Sequence, residues 1–333
     1  MSAQHDVDVV IALFRPGAWI DGCLASVRAQ ENVRVRTILV DDDPSQPMAA
    51  SLAATMPDAV AISTTRNRGY AAANNAGIAA GRAPYVLCLN QDARLAPDYL
   101  ERLTTLMRAD ERVASASGKL LRLPSPTEPS DGTIDSLGLA MRPGRRTIDL
   151  GQGMPDEGGP EGACEVFGVS AAAGLYRRSA LDEVSRHGSV FDESFFMYKE
   201  DVDLAWRLRR AGYIACVDDE AIGYHGRSAG RPSSREGVAG LISLWAHERT
   251  KPAHVRRLSW RNQMLLIVKN EGVSSIGPAL APMLVMQLLH ACADLVLDPI
   301  GGLTNRVQLL TQIPGAIRRR EGRYDVDLSR WLA

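Results

Sequence analysis

An α/β fold, a doubly wound and mostly parallel sheet followed by a C-terminal helical region, is the class that this 333-residue sequence predicts. Two observations carry the prediction. Short apolar runs alternate with stretches of helical periodicity as far as about residue 117, and beyond about Arg231 the strand signal gives way to helical patterning alone.

The elements follow in order. Residues 7–14, 35–40, 59–63 and 84–89 are continuous apolar runs, as strands covered on both faces require. Ile20, Cys23, Leu24 and Val27 recur at helical spacing after the first run. The Ala-rich stretches 48–56 and 69–80 read as the next helices. Leu100, Leu103 and Met107 mark another, before a fifth run at 113–117. From 123 to 162 the texture changes to Pro, Gly and charge around a hairpin-like "IDSLGLAMRPGRRTIDLG", an excursion over the sheet that is a candidate lid. The expected division is a catalytic domain over 1–230 and a helical region over 231–333, with a strongly basic stretch between Arg249 and Lys269.

Composition narrows the function. A 45 % apolar content supports a full core, and a net charge of −1 argues against a general nucleic-acid binder. Five scattered cysteines with no C-x-x-C pair read as reduced core thiols of a cytosolic protein. The first residues, "MSAQHDVDVVIALF", have the look of a strand, since Asp6 and Asp8 interrupt what would otherwise resemble a signal sequence.

The stretch "FFMYKEDVDLAWRLRRAG" obeys helix end signals from Glu200 to Gly212, with acids in the first turn and Arg then Gly at the finish. Leu204, Ala205, Leu208 and Ala211 form an apolar stripe, and Asp203, Arg207 and Arg210 a polar one. Asp201 opens the apolar stripe. There it either caps the helix with Glu200 or serves as a desolvated base in a cleft.

In open parallel sheets ligands sit beyond the carboxyl ends of the strands. Strand two ends in "VDDDPS", an acidic turn and helix cap or a ligand site. Strand four ends in "LNQDA", whose Asn90 and Asp92 place two oxygen donors where a hard cation could bridge to phosphates. Neither G-x-G-x-x-G nor a P-loop occurs, which excludes the common nicotinamide and ATPase signatures.

The ordered motifs "VIALFRPGAWIDGCLASVRAQ", "ILVDDDPS", "NRGYAAANNAGI", "VLCLNQDARLAPDYL", "EVFGVSAAAGLYRRSAL" and "FDESFFMYKEDVDLAWRLRRAGY…YHGRSAG" resemble the inverting family 2 glycosyltransferases of bacterial polysaccharide synthesis, in particular the rhamnosyltransferase-like group. The likeness covers about the first 230 residues, and "RNQMLLIVKN" is similar to a segment that the group carries later. It implies a GT-A fold and a set of roles. Phe14 would lie beside the base, Asp41 would bind the nucleoside, and Asn67 would stand in the nucleotide-side loop. Asn90-Gln91-Asp92 takes the place of the metal motif, and Asp201 that of the catalytic base. Glu200 and Tyr198 would support the acceptor side, and His225 would join Asp92 in holding Mg²⁺ or Mn²⁺. Two departures stand out: Leu13-Phe14-Arg15 replaces the usual small-aromatic-polar start, and Asn90 replaces an Asp.

The activity so implied is single-displacement transfer of a sugar, first a dTDP-deoxysugar such as rhamnose and second a UDP-hexose, from a nucleoside diphosphate to a glycan or polyprenyl-linked acceptor. The alternatives are a sugar-phosphate nucleotidyltransferase, which would want a Gly-rich, lysine-bearing loop where "FRPGAW" stands, and a non-catalytic glycan-binding scaffold. The window 276–297 is apolar but interrupted by Pro278, Pro282, Gln287, His290 and Asp294, a poor transmembrane span. With basic flanks it reads as a peripheral contact at the cytoplasmic face of the membrane or, alternatively, as a buried or homo-oligomeric contact.

Overall fold

A computed structural model describes residues 5–142, 144–158, 162–226, 252–272, 276–320 and 329–331. The expected basic stretch at Arg249 and Lys251, and the domain boundary near 230, lie outside these residues. Two compact units are found, one within Met1–Leu139 and Asp149–Arg227, the other within Ala140–Ile148 and Ser228–Ala333.

The first unit begins with β1 (Val7–Leu13), α1 (Trp19–Arg28), β2 (Val35–Asp41), α2 (Ala49–Ala53), β3 (Val60–Ser63), α3 (Tyr70–Ala80) and β4 (Tyr85–Leu89). β1 pairs in parallel with both β2 and β4, and β2 with β3. The apolar residues expected of α1, Ile20, Cys23, Leu24 and Val27, are the ones it buries. Asp8 stays in β1 despite complete burial because Arg36 and Arg178 pair with its two oxygens at 2.7 and 2.9 Å and the amide of Ala83 donates to it.

Beyond β4 come β5 (Ala93–Leu95), α4 (Tyr99–Ala109), β6 (Val113–Arg122), β7 (Ile134–Ser136), β8 (Leu139–Met141), β9 (Thr147–Asp149), β10 (Ala163–Val166), β11 (Ala173–Arg177), α5 (Arg178–Val184), α6 (Glu200–Arg210) and β12 (Ile214–His225). The sheet runs β10-β12-β6-β11-β4-β1-β2-β3, with β5 on β12 and β7 on β6. β11 is antiparallel to both β4 and β6, so the sheet is mixed at this end and parallel at the other. The excursion is fastened by β7 against β6 and by the buried Lys119, which bonds Asp156 at 3.0 Å and Asp219 at 3.2 Å.

The polar stripe expected on α6 is not solvated. Asp203 and Arg207 are buried and paired at 3.0 Å, and the guanidinium also donates to the carbonyls of Val184 and Val190. The helix is covered on that side by the chain leaving α5, and the ion pair satisfies backbone oxygens that would otherwise be orphaned. Cysteines also depart from expectation: Cys23, Cys88 and Cys216 are core thiols, but Cys164 and Cys292 are exposed.

The second unit contains α7 (Ala253–Asn270), α8 (Ile276–Leu297) and α9 (Pro299–Arg318). Within it, Arg145 forms a buried bidentate pair with Glu271 at 2.6 and 2.9 Å, and its carbonyl accepts from Gln263.

Candidate active site

The carboxyl ends of β1, β2 and β4 each deliver a candidate group. After β1, Phe14 projects with 42 % of its surface exposed, and Arg15 stacks its guanidinium 5.1 Å from the ring centroid. Phe14 owes its placement to Gln91, which the sequence marked only as the middle of the Asn90-Gln91-Asp92 motif. The side-chain amide of Gln91 accepts from the Phe14 N–H at 2.8 Å and donates to the Phe14 carbonyl at 2.9 Å, as a neighbouring strand would.

The three acids at the end of β2, Asp41 to Asp43, are all buried but do different work. Asp41 accepts from the amides of Met48 and Ala49 and from the Ser63 hydroxyl, so it caps the start of α2, the structural reading that its sequence context also allowed. Asp42 accepts from the amides of Arg68 and Gly69, both at 2.8 Å, and burial nevertheless pushes its carboxyl above the usual range. Asp43 pairs with Arg15 at 2.8 Å. Asn67 is exposed, and its side-chain oxygen accepts from the Gly69 amide at 2.9 Å.

At the end of β4, Asn90, Asp92 and His225 meet. His225 Nε2 lies 3.1 Å from the Asn90 amide nitrogen and 3.5 Å from an Asp92 oxygen. Its Nδ1 is 2.8 Å from Asp135 on β7, a second residue that the sequence did not reveal, because nothing in "TIDSLG" marks it. Burial pushes the imidazole pKa down, but the hydrogen bonds and charges of Asp135 and Asp92 outweigh it and raise the value to about 9.

The donor set suits a hard cation. Asp92 and His225 are close enough to share one ion, and Asp135 orients the imidazole from its far nitrogen, as outer partners of metal-binding histidines do. Among the described residues no group of three or more His, Cys, Asp or Glu side chains is arranged to hold a metal ion by itself, so most of a cation's shell would come from phosphate and water, the arrangement that Mg²⁺ favours.

Asp201 stands at the start of α6, half-buried. Its oxygens accept from its neighbour's amide (Val202, 2.8 Å) and from Ala171 at 3.5 Å. Burial raises its pKa, with the charge of Asp149 adding and that of Lys199 opposing. Glu200 is buried and one of its oxygens has no hydrogen-bond partner; burial, then the charge of Asp201, pushes it up as well. The Ala171-Ala172 dipeptide joins the two sides of the site, since Ala171 donates to Asp201 while the Ala172 carbonyl accepts from Asn90 at 2.8 Å. Tyr198 is 40 % exposed and lies in a turn where Phe196, Tyr198 and Lys199 all have positive φ.

Residues 8–184 match the family model "Glycosyl transferase family 2". The chain belongs to glycosyl transferase family 2. The matched span of this glycosyltransferase ends before α6, so Asp201 and His225 lie beyond it. It is 35 % identical over 135 residues to the succinoglycan biosynthesis protein ExoO of Rhizobium meliloti, covering 37 % of this chain and 38 % of that protein. It is 29 % identical over 246 residues to the N-acetylglucosaminyl-diphospho-decaprenol L-rhamnosyltransferase of Mycobacterium tuberculosis, covering 67 % of this chain and 77 % of that one. Among solved structures it is similar to GalNAc-T7, crystallised with UDP, GalNAc and Mn²⁺, with a TM-score of 0.58 at 11 % identity over 81 % of this chain and 49 % of that one. That likeness shows the GT-A type of fold.

Proposed function

We propose that this glycosyltransferase moves a sugar, with inversion, from a nucleoside diphosphate to a hydroxyl of a glycan or lipid-linked acceptor in cell-envelope polysaccharide synthesis. The observation that carries the reading is the pairing, across Ala171-Ala172, of a desolvated carboxyl at Asp201 with the Asn90, Asp92 and His225 cluster. One side can take a proton from an acceptor hydroxyl, and the other can hold the charge of a leaving diphosphate.

Asp92 and His225 would hold Mg²⁺ or Mn²⁺, whose chemistry there is neutralisation of the diphosphate. Phe14, kept exposed by Gln91, would stack on the base. Asp41, which also caps the start of α2, would bind the nucleoside, and Asn67 would stand on the nucleotide side. The favoured donor is a dTDP-deoxysugar such as dTDP-rhamnose, then a UDP-hexose; the likeness to a rhamnosyltransferase supports the first. Asp201 is the base, Glu200 and Tyr198 support the acceptor side, and the 123–162 excursion contributes to water exclusion. The reaction takes place in the cytoplasm at the inner face of the membrane, to which the C-terminal helices attach peripherally.

Calorimetry of nucleoside diphosphates and their sugars tests the donor half. Binding of dTDP or UDP is expected to strengthen with Mn²⁺, to weaken with EDTA, and to lose its metal dependence in Asp92→Ala. Binding indifferent to metal, or confined to GDP or CMP compounds, overturns the assignment.

A further inference from the structure

The base helix α6 is entered through a backbone that is costly to hold. Phe196 has φ 65° and ψ −65°, a tight turn closed by the Met197 amide on the Phe195 carbonyl at 2.7 Å. Tyr198 and Lys199 follow at φ 71° and 74°, and Asp201 comes two residues later. Non-glycine residues in such conformations persist only where the surroundings over-determine them.

The surroundings here are the loop between β3 and α3. Asp42 grips it through the amides of Arg68 and Gly69. Gly69, at φ +84°, lies directly beneath Phe196, and a Cβ at this position would meet the Phe196 ring and carbonyl oxygen at 2.5 Å. The Phe196 carbonyl accepts from the Ala71 amide in the first turn of α3 at 3.1 Å. Further along, Asn75 binds the amides of Val190 and Phe191 and the Phe191 carbonyl, and Arg68 pairs with Glu193 at 2.7 Å. The loop and the strained turn are thus stitched together on both sides of a contact that only glycine permits.

We propose that Gly69 and Phe196 are positioning residues for Asp201, the loop held by Asp42 being the footing on which the base is aimed. This rests on the reading of Asp201 as the base. Neither Gly69 nor Phe196 needs to touch a substrate. A Cβ at Gly69 must displace the Phe196 carbonyl, and the displacement has three residues in which to reach Glu200 and none of them is a glycine that could absorb it.

The test is a double-mutant cycle read in kcat and KM. Gly69→Ala is expected to lower kcat by ~10- to 10²-fold, the usual consequence of a sub-ångström to ångström misplacement, with the donor KM changed by less than about threefold. In an Asp201→Asn background the same change is expected to have no further effect, since there is no base left to misplace. Phe196→Ala, which removes the ring from Gly69 without adding a side chain, runs through the same cycle and gives the answer if Gly69→Ala does not fold. Equal fold-losses in both backgrounds, for either variant, would indicate a general structural role and overturn the proposal. Unchanged turnover in Asp201→Asn alone would remove the base assignment itself, and this proposal with it.

Discussion

At the level of single residues, the chemistry of the site turns on two adjacent carboxyls that burial treats differently. Both Glu200 and Asp201 are pushed up by desolvation, and Glu200 is the more enclosed of the two and carries the oxygen without a partner. If Asp201 is the base, as proposed, it must be ionised to act, so its raised pKa is expected to make kcat/KM rise with pH through a limb lying above the ordinary carboxylate range near ~4. Asp201→Asn is expected to abolish that limb and to lower turnover by ~10² to 10⁴. Glu200→Gln, which copies the protonated acid, is expected to leave the limb in place. A pH–rate profile of the three proteins checks both statements, and a limb that survives in Asp201→Asn would exclude Asp201 as its source. The triplet Asp41-Asp42-Asp43 shows why residue roles are hard to read from a string. Three identical neighbours cap α2, grip the loop before α3 and pair with Arg15 respectively, and only the direction of each side chain tells them apart.

Elements built from period and end signals were legible, and those built from tertiary contacts were not. β1, β2, β4 and α1 announce themselves because burial on both faces, or along one stripe, writes itself into apolar spacing, whereas β3, expected to be covered on both faces, is an edge strand that alternates between half-buried and exposed residues. β11 is different: "AGLYR" is short and poor in β-branched residues, because Gly174 sits where a Cβ would meet the Ser170 carbonyl and the Tyr176 hydroxyl at 3.0 Å. β12 hides behind "VDDEA", acids that look unlike a buried strand. They occupy a register shift between Asp218 and Ile222, from which Asp219 reaches Lys119 and Glu220 reaches Arg102. In the same way the polar face of α6 spelled solvent but meets the chain after α5. Removing half of the buried Asp203–Arg207 pair leaves an uncompensated charge, so Arg207→Met or Asp203→Ala is expected to cost about 3–5 kcal/mol in chemical denaturation. Arg207→Lys is expected to recover little of it, since a point charge cannot serve Asp203 and the carbonyls of Val184 and Val190 together. A loss under about 1 kcal/mol would mean that this face is wetter than its burial indicates.

On the scale of the whole molecule, the second unit buries Leu265, Leu266, Ile267 and Leu309 but leaves long apolar faces of α8 and α9 open. By length and composition alone the stretch Ala279–Leu297 is apolar enough to cross a membrane, and only 6 % of it is buried. Leu284, Val285, Leu288, Leu295 and Val296 on α8, and Ile300, Leu303, Val307, Leu310 and Ile317 on α9, are all more than half exposed. The charges go the other way: Asp294 pairs with Arg306 at 2.7 Å, Asp298 with Arg257, and Trp260 donates to Gln287. An apolar face left open along two successive helices, with the charged side chains paired to one another, is a pattern that the acyl layer of a membrane can cover. Exposed Arg318 and Arg320 close the end of α9, where an anionic leaflet would favour each by about 1 kcal/mol. Full-length protein is therefore expected to float with liposomes containing phosphatidylglycerol, and removal of residues 276–333 to leave it in the soluble fraction. The pair Leu288→Lys and Leu303→Lys separates insertion from charge attraction, because it adds positive charge while destroying the apolar faces. Flotation lost in this double variant at low salt supports burial of α8 and α9 in the acyl layer. Flotation retained or strengthened would reduce the contact to electrostatics, and wild-type protein that stays soluble but runs as a dimer would assign the same faces to a second copy of the chain.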